Sequence, residues 1–308
     1  MYVNEFILYI DNSKIRHDTA HSNNDREITT VTLIESCRDA IEEVYISMPV
    51  RKIDDHYMSV ILRNTLHLEI GLDYRSLESR TMDDFRSLAR QLKNAGIRTT
   101  VHAPFNELFL GAPDRIIRQA AIERMDYAFS VAELFSPRAI VVHLNFEERR
   151  FRYLYDEWMN NIIPNLKRYA DRCGEMGAVL SLENVYEEVP DAVQDVFSRL
   201  KGYPAQLCLD VGHVSAFSDA SLPAWFEGAG HCIGHFHLHD NDGTGDQHRP
   251  IGSGTIDFGL VGNFIASMKS RPLITLEPHR EEDIWKTLKG FSSTGLFEII
   301  KGKNTSSR

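Results

Sequence analysis

The amino-acid sequence predicts an α/β protein built as a single (β/α)₈ TIM barrel, and three observations carry this prediction. Short runs of β-branched and aliphatic residues, typical of strands buried on both faces of a parallel sheet, alternate with longer amphipathic stretches. Six of these runs end on histidine, aspartate or glutamate at intervals of 27 to 41 residues, a suitable length for one strand, one helix and their loops. With 308 residues and 43% hydrophobic composition, the chain can bury one large core.

Nine segments have the composition of strands. The first three cover residues 5–10, 43–48 and 66–70, and the other six cover residues 99–102, 140–143, 180–183, 207–210, 234–237 and 274–277. A closed (β/α)₈ barrel needs only eight strands. One of the first two candidates is therefore expected to be peripheral or to make an additional pairing, so that the barrel carries a short extra N-terminal segment.

Four stretches between the strands have helical periodicity, at residues 76–95, 114–134, 155–176 and 191–200. Each leads into the next strand through a turn that contains glycine or proline. The polar stretch 11–24 is interpreted as a loop or flap. Residues 1–300 are predicted to form one domain, because no linker or repeat beyond the βα period interrupts them, and residues 301–308 are predicted to be a disordered tail.

The overall charge disfavours a nucleic-acid partner. The chain has 34 basic and 44 acidic residues, a formal net charge of −10. Proteins that bind nucleic acid usually carry a basic surface that neutralises phosphates. The basic cluster of Arg149, Arg150 and Arg152 is interpreted as a solvated loop, with a local basic patch as the alternative.

Several features predict a cytoplasmic protein without a membrane partner. The longest apolar stretches have the length of strands, and the first residues lack the charged and apolar regions of a secretory signal. The four cysteines are scattered without CxxC spacing, which favours free thiols in a reducing compartment.

The residues that end the six strands predict a metal site. In a parallel barrel the carboxyl ends of all strands meet at one rim, so terminal ligands from successive strands are brought together there. Histidine nitrogen combined with carboxylate oxygen suits Zn²⁺, Mn²⁺, Fe²⁺ or Co²⁺ better than Ca²⁺, and Zn²⁺ or Mn²⁺ is the expected cofactor. Nine candidate ligands end or follow the strands: His102, His143, Glu183, Asp210, His213, His237, Asp246, His248 and Glu277.

The residues alone leave the number of ions open, between one and three. Four ligands suffice for one octahedral ion that keeps two positions for substrate. Two or three ions could instead share all nine ligands through bridging carboxylates, with Glu183 and Asp210 as the obvious bridges. By the period of two, His235 shares the face of His237 and is expected deeper in the barrel, whereas His239 could orient a ligand carboxylate.

Four further residues are candidates for substrate binding. Asn106 and Asn184 follow strand ends and could hydrogen-bond a substrate hydroxyl, and Arg249 and Arg280 could clamp a phosphate. Either arginine could instead pair only with surface acids. The glycine-rich stretch 252–254 is interpreted as a tight turn, because its phosphate signal is weak without a following helix.

Seven short motifs occur in a fixed order: His102-Ala103-Pro104-Phe105, Leu182-Glu183-Asn184, Leu209-Asp210-Val211-Gly212-His213, His237-Leu238-His239-Asp240, Asp246-Gln247-His248, Ile251-Gly252-Ser253-Gly254 and Leu276-Glu277-Pro278. On these motifs, over residues 66–288, the chain resembles the xylose isomerase-like TIM barrel superfamily. That superfamily contains sugar and sugar-phosphate isomerases and epimerases together with AP endonuclease family 2, the endonuclease IV group. The resemblance is specific for the fold and the metal site but not for substrate, since one scaffold serves many reactions.

The resemblance implies two mechanisms. In the isomerase and epimerase branch, one divalent ion is held by the residues that match Glu183, Asp210, His237 and Glu277, and the two glutamates act as the catalytic acid–base pair on either side of the sugar. In the endonuclease IV branch, three zinc ions use all nine positions and a metal-bound hydroxide attacks phosphorus.

All nine endonuclease-type positions carry the matching residue type, including Asp246 and His248, which single-metal epimerases typically replace. The leading hypothesis is therefore phosphoester hydrolysis in a small, sugar-containing substrate by a two- or three-metal centre. The alternative is a single-metal sugar or sugar-phosphate isomerase or epimerase that uses Glu183 and Glu277. A DNA-repair endonuclease and a carbohydrate-binding barrel without turnover are further alternatives, and the oligomeric state is left open.

Overall fold

The computed structural model describes residues 38–106 and 108–305. Eight parallel strands close into a barrel in sequence order, with β8 paired to β1. The predicted (β/α)₈ fold class is confirmed. The strands are β1 (Tyr45–Pro49), β2 (Leu68–Gly71), β3 (Thr99–His102), β4 (Ala139–His143), β5 (Val179–Glu183), β6 (Ala205–Asp210), β7 (Ile233–Leu238) and β8 (Leu273–Leu276).

The helices surround the barrel and bury their apolar faces against the strands. Their core faces carry large fully buried side chains such as Phe85, Phe129 and Tyr169. The helices are α1 (Asp55–Asn64), α2 (Tyr74–Ser79), α3 (Met82–Asn94), α4 (Arg115–Ala132), α5 (Glu148–Phe151), α6 (Tyr155–Glu175), α7 (Asp191–Arg199), α8 (Val211–Phe217), α9 (Leu222–Ala229), α10 (Phe258–Ser267), α11 (Glu281–Ser293) and α12 (Leu296–Thr305).

The surplus of predicted strands is resolved at the N-terminal end. The candidate at 43–48 is β1 of the barrel, and the candidate at 66–70 is β2. The remaining candidate at 5–10 and the polar stretch 11–24 lie outside the described residues. No helix within the described ranges is both long and apolar enough to span a membrane.

The predicted helix at 76–95 is two helices, which corrects the sequence interpretation. Thr81 is the N-cap of α3 and forms a capping box with Asp84, in which each side chain accepts a hydrogen bond from the other residue's backbone N–H. The box begins a new helix, and the chain is extended at the preceding Arg80. The predicted helices at 114–134, 155–176 and 191–200 correspond to α4, α6 and α7.

The C-terminal helix continues further than the sequence suggests. Helix α12 runs to Thr305, into the 301–308 stretch that is expected to be disordered. Leu296, Phe297 and Ile300 of this helix are buried in the hydrophobic core, and the ammonium of Lys301 lies 3.2 Å from the exposed carboxylate of Asp39. Residues 306–308 lie outside the described ranges.

The interior of the barrel is polar below the rim. Strand register places inward-facing side chains of neighbouring strands at the same level. Polar side chains that hydrogen-bond to one another fill the space between the strands. Nε2 of His235 lies 2.9 Å from the Thr275 hydroxyl, and the amide of Gln206 donates to the hydroxyl of Ser181 at 2.9 Å. This polar floor lies directly under the predicted metal site.

Candidate metal centre

The carboxyl ends of strands β3 to β8 bring six predicted ligands to one rim of the barrel. Each comes from the last residues of its strand or the residue that follows, and each side chain is at most a tenth exposed. They are His102 on β3, His143 on β4, Glu183 on β5, Asp210 on β6, His237 on β7 and Glu277 directly after β8.

The central cluster is arranged around one nitrogen of His237. Its Nδ1 lies 3.4 Å from Glu183 Oε2, 3.2 Å from Glu277 Oε1 and 3.9 Å from Asp210 Oδ2. Nδ1 and Asp210 Oδ2 are buried without a hydrogen-bond partner among the described residues. Leaving such atoms unpaired is costly unless a further group occupies the space between them. Three carboxylates and one imidazole nitrogen are a donor set that suits a divalent cation.

A second group lies beside the central cluster and shares Glu183 with it. Oε2 of Glu183 is 3.1 Å from Nε2 of His102 and 3.2 Å from Nε2 of His143, and the two Nε2 atoms are 3.1 Å apart. Glu183 therefore faces both groups, as the sequence predicts for a bridging carboxylate. The ring of Phe105 stacks on His143 at a centroid distance of 4.7 Å and is 43% exposed, so it forms an accessible apolar wall.

An outer cluster contains the remaining three predicted ligands. Asp246 Oδ2 lies 3.5 Å from His213 Nε2 and 3.0 Å from His248 Nε2. His248 adopts a positive φ of 46°, a left-handed conformation that non-glycine residues rarely hold without support from their surroundings. The loop between β7 and α10 thus aims Asp246 and His248 at His213.

His239 joins the outer cluster to the central one. Its Nε2 lies 3.1 Å from Asp210 Oδ1 and 3.4 Å from Asp246 Oδ1, and its ring stacks on His248 at 3.9 Å. A Cβ built on Gly212 would lie 1.9 Å from Cε1 of this ring, so helix α8 requires glycine at that position. His239 thus contacts a predicted ligand carboxylate, and His235 lies deeper, as the sequence indicates.

Backbone carbonyls orient three of the histidines. Nδ1 of His102 lies 2.8 Å from the carbonyl of Ala103, and Nδ1 of His213 lies 2.9 Å from the carbonyl of Asn184. Nδ1 of His248 lies 3.2 Å from the carbonyl of Glu277. When Nδ1 donates to a carbonyl, Nε2 is left with a lone pair, which is the arrangement that metal-ligating histidines use.

Three residues that contribute to the site were not predicted from the sequence: Glu69 and Glu187, which are buried, and His279, which is exposed. Glu69 on β2 lies under His237, with its Oε1 3.1 Å from His237 Nε2. The Glu187 carboxylate accepts the backbone N–H groups of Phe146 and Val185 and fixes the loop after β5. His279 stacks on His248 from the side opposite His239. In the sequence, each of these residues is recognisable only as a glutamate or histidine within or near a predicted strand or motif, which is too common a pattern to predict a role in the site.

The predicted substrate-binding asparagines have different surroundings. Asn184 is buried, and its amide group is engaged with the backbone of Asp210: the side-chain oxygen accepts the Asp210 N–H at 2.9 Å and the amide nitrogen donates to the Asp210 carbonyl at 3.2 Å. Its position favours holding β6 in place over binding a substrate hydroxyl. Asn106 is exposed at the end of the turn after β3.

Both predicted phosphate-clamping arginines pair with acids, the alternative that the sequence leaves open. Arg249 contacts Asp242 at 2.6 Å, and Arg280 contacts Glu282 and Asp283. The glycine-rich stretch is a turn organised by the buried carboxylate of Asp240, which accepts the N–H groups of Gly252, Gly254 and Ile256. Those N–H groups are therefore not free to bind a phosphate.

The two candidate catalytic glutamates have pKa values displaced in opposite directions. Burial by itself raises the pKa of the Glu183 carboxyl, but the facing imidazoles, chiefly His237 and His143, hold it well below its usual range. Burial, with the neighbouring charges of Asp210 and Glu183, raises the pKa of Glu277 despite His237 and His248. A pair of carboxyls whose environments separate their pKa values can supply one base and one acid.

The chain belongs to the xylose isomerase-like TIM barrel family, whose model matches residues 67–293. This match covers the metal-site rim from β2 to α11. Among curated proteins, the uncharacterized protein MJ1311 of Methanocaldococcus jannaschii is 25% identical over 198 residues, which are 62% of this chain and 68% of that protein.

Solved structures with the same fold include a zinc-soaked protein and sugar epimerases. The TTHB071 protein from Thermus thermophilus, soaked with ZnCl₂, is 23% identical with a TM-score of 0.69, over 83% of this chain and 97% of that one. A D-tagatose 3-epimerase-like protein is 20% identical with a TM-score of 0.68, over 84% and 99%. Several other structural neighbours are named as sugar epimerases.

Proposed function

We propose that this protein is a divalent-metal-dependent sugar isomerase or epimerase. The observation that carries the proposal is the convergence of Glu183, Asp210 and Glu277 on Nδ1 of His237. These four residues would hold one Zn²⁺ or Mn²⁺ ion, and the unpaired buried atoms of the cluster suit such an ion. When bound, the ion would polarise the carbonyl of a sugar and its neighbouring hydroxyl.

Glu183 and Glu277 supply the proton transfer in this proposal. They come from β5 and the end of β8, so they approach the rim from different parts of the barrel. One carboxylate removes the proton from the carbon next to the carbonyl, and the other carboxyl returns a proton to that carbon or to its neighbour.

An uncharged sugar fits the described surroundings better than a sugar phosphate. Arg249 and Arg280 are neutralised by acids, and Asp240 occupies the N–H groups of the glycine turn. The exposed ring of Phe105 beside His143 offers a flat apolar surface for the C–H face of a sugar ring.

Phosphoester hydrolysis remains a second candidate because of one observation. The outer cluster of His213, Asp246 and His248 lies beside the central cluster. Within it, the Asp246 carboxylate is 3.0 Å from His248 and 3.5 Å from His213. A polynuclear centre of this kind could activate water against phosphorus.

Solvent exchange at carbon tests the proposal. Protein loaded with Mn²⁺ is incubated in D₂O with a panel of ketohexoses and their phosphates, and deuterium at the carbon next to the carbonyl is measured by mass spectrometry. We expect incorporation with an unphosphorylated ketose and a loss of at least about 100-fold in Glu277→Gln, since a positioned acid or base contributes 10²–10⁴-fold. The exposed Glu282→Gln provides the matched control.

Two outcomes would contradict the proposal. Deuterium incorporation that persists in Glu277→Gln would remove Glu277 from the proton transfer. Release of inorganic phosphate from the sugar phosphates, without any deuterium at carbon, would favour hydrolysis.

A further inference from the structure

Glu69 occupies a buried position that a carboxylate rarely takes without a specific role. Its side chain points into the barrel from β2 and is completely buried. The hydroxyls of Thr100 and Thr275 donate to its Oε2 at 2.9 Å and 3.0 Å. These residues lie on β3 and β8, so two other strands of the barrel fix the carboxylate.

The second oxygen of Glu69 is directed at His237. Oε1 lies 3.1 Å from His237 Nε2, on the side of the ring opposite the Nδ1 that faces the three rim carboxylates. At this distance the two atoms do not meet the geometry of a hydrogen bond, and neither atom has a hydrogen-bond partner among the described residues. The imidazole therefore lies between one carboxylate below and three above.

We propose that Glu69 is a positioning residue that fixes the orientation and tautomer of His237 for metal binding. In this role Glu69 Oε1 faces the N–H of Nε2, so that the lone pair of His237 is on Nδ1, facing Glu183, Asp210 and Glu277. This arrangement is opposite to that of His102, His213 and His248, whose Nδ1 atoms face carbonyls. A carboxylate behind a ligating histidine also raises the basicity of that ligand.

The inference rests on the proposed metal centre and adds a residue that does not touch the ion. Loss of a partner of this kind typically weakens metal binding by about 10- to 100-fold. We therefore expect Glu69→Gln, which keeps the shape and the threonine contacts but removes the charge, to weaken binding of one Zn²⁺ equivalent by this factor. Glu69→Ala, which also opens the floor of the site, should weaken it further.

Zinc titration calorimetry on the full chain tests this expectation. Asp283→Asn is the matched control, because it neutralises another buried carboxylate, one that pairs with Arg280 and Lys286 outside the ligand clusters. Circular dichroism establishes that each variant is folded. Weaker zinc binding in Glu69→Gln with unchanged binding in Asp283→Asn supports the proposal, and equal binding in wild type and Glu69→Gln overturns it.

A measurement on the unmodified protein keeps the proposal testable even if the variants do not fold. In ¹⁵N-histidine-labelled, zinc-loaded protein, the imidazole resonances report which nitrogen of His237 carries the proton. A proton on Nε2 with zinc on Nδ1 supports the proposal, and zinc on Nε2 overturns it. If the wild-type protein binds no divalent ion, the proposed function itself fails, an outcome distinct from metal bound through the other nitrogen.

Discussion

At the residue scale, the same side-chain types have different roles because their neighbours differ. Glu183 and Glu277 are both buried at the rim, but the imidazoles that face Glu183 outweigh its burial, whereas burial has the larger effect on the pKa of Glu277. The first environment stabilises the anion, and the second favours the protonated form. Two glutamates in one cluster can therefore act as different partners in proton transfer.

Replacement of His248 should affect the two candidate functions differently: little for isomerisation or epimerisation at a single ion, and strongly for phosphoester hydrolysis at a polynuclear centre. We expect His248→Ala to remove the ligand nearest to Asp246 from the outer cluster, while proton exchange at a ketose carbon falls by no more than about threefold, or about 0.65 kcal/mol. The reason is that His248 lies outside the four-residue central set. The measurement is the rate of deuterium incorporation with Mn²⁺.

The stacked neighbour of His248 provides the control for this variant. His279→Ala removes a ring from the same stack without removing a contact to Asp246. A loss of exchange that is large in His248→Ala and absent in His279→Ala would contradict the single-ion proposal and favour a shared, polynuclear centre.

The convergence of the candidate ligands at the strand ends could be predicted from the sequence because both parts of the signal are local. A buried strand and the residue that ends it are adjacent in the chain. Closure of the barrel then brings the carboxyl ends of all the strands to one rim. Glu69 could not be found in this way. Between Leu68 and Ile70 it has the pattern of an alternating strand, and only the contact with His237, far along the chain, shows that it faces the barrel interior.

At the element scale, the loop between β7 and α10 is held together by one buried carboxylate. Asp240 begins this loop, and its backbone forms an antiparallel bridge with Arg249 while its side chain accepts N–H groups from the glycine turn. The loop carries Asp246 and His248 between these two anchors. The position of the outer cluster thus depends on Asp240.

Neutralising Asp240 should loosen this loop. We expect Asp240→Asn to lower the free energy of unfolding by about 1–3 kcal/mol, since hydrogen bonds to a charged group are stronger than those to a neutral one and the amide end cannot accept N–H groups. Urea unfolding followed by circular dichroism measures the change. Asp242→Asn, at a partly exposed position in the same loop, is the control, and an equal or larger loss there would contradict this assignment.

Element boundaries followed from the sequence where a single local pattern decides them. The amphipathic stretches at 114–134 and 155–176 became helices with nearly the predicted ends. The break between α2 and α3 was missed because helical periodicity continues across Arg80, although the Thr81–Asp84 spacing is a capping-box signal. The end of α12 does not follow from the sequence because the helix is packed through Leu296, Phe297 and Ile300, whose partners in the core are distant in sequence.

At the scale of the whole molecule, barrel closure places ligands from six strands around one small volume. Each strand contributes one or two side chains, and none of the clusters could form from a single βα unit. Asp210 Oδ2 and His237 Nδ1 are buried without a hydrogen-bond partner among the described residues, and a bound cation would pair with both. Metal binding should therefore be coupled to the stability of the barrel as a whole.

The proposed function depends on Glu183, Asp210, His237 and Glu277 holding a divalent ion, and metal binding can be measured without knowing the substrate. The measurement is elemental analysis and calorimetry of tag-free protein equilibrated with Mn²⁺ or Zn²⁺, together with thermal unfolding. We expect at least one tightly bound equivalent that stabilises the fold by about 2.7 kcal/mol at 100 times its Kd. That equivalent should disappear in Glu183→Ala and persist in Glu282→Gln. A wild-type chain that binds no ion, or a Glu183→Ala variant that binds the same number with the same affinity, would contradict the proposed metal centre.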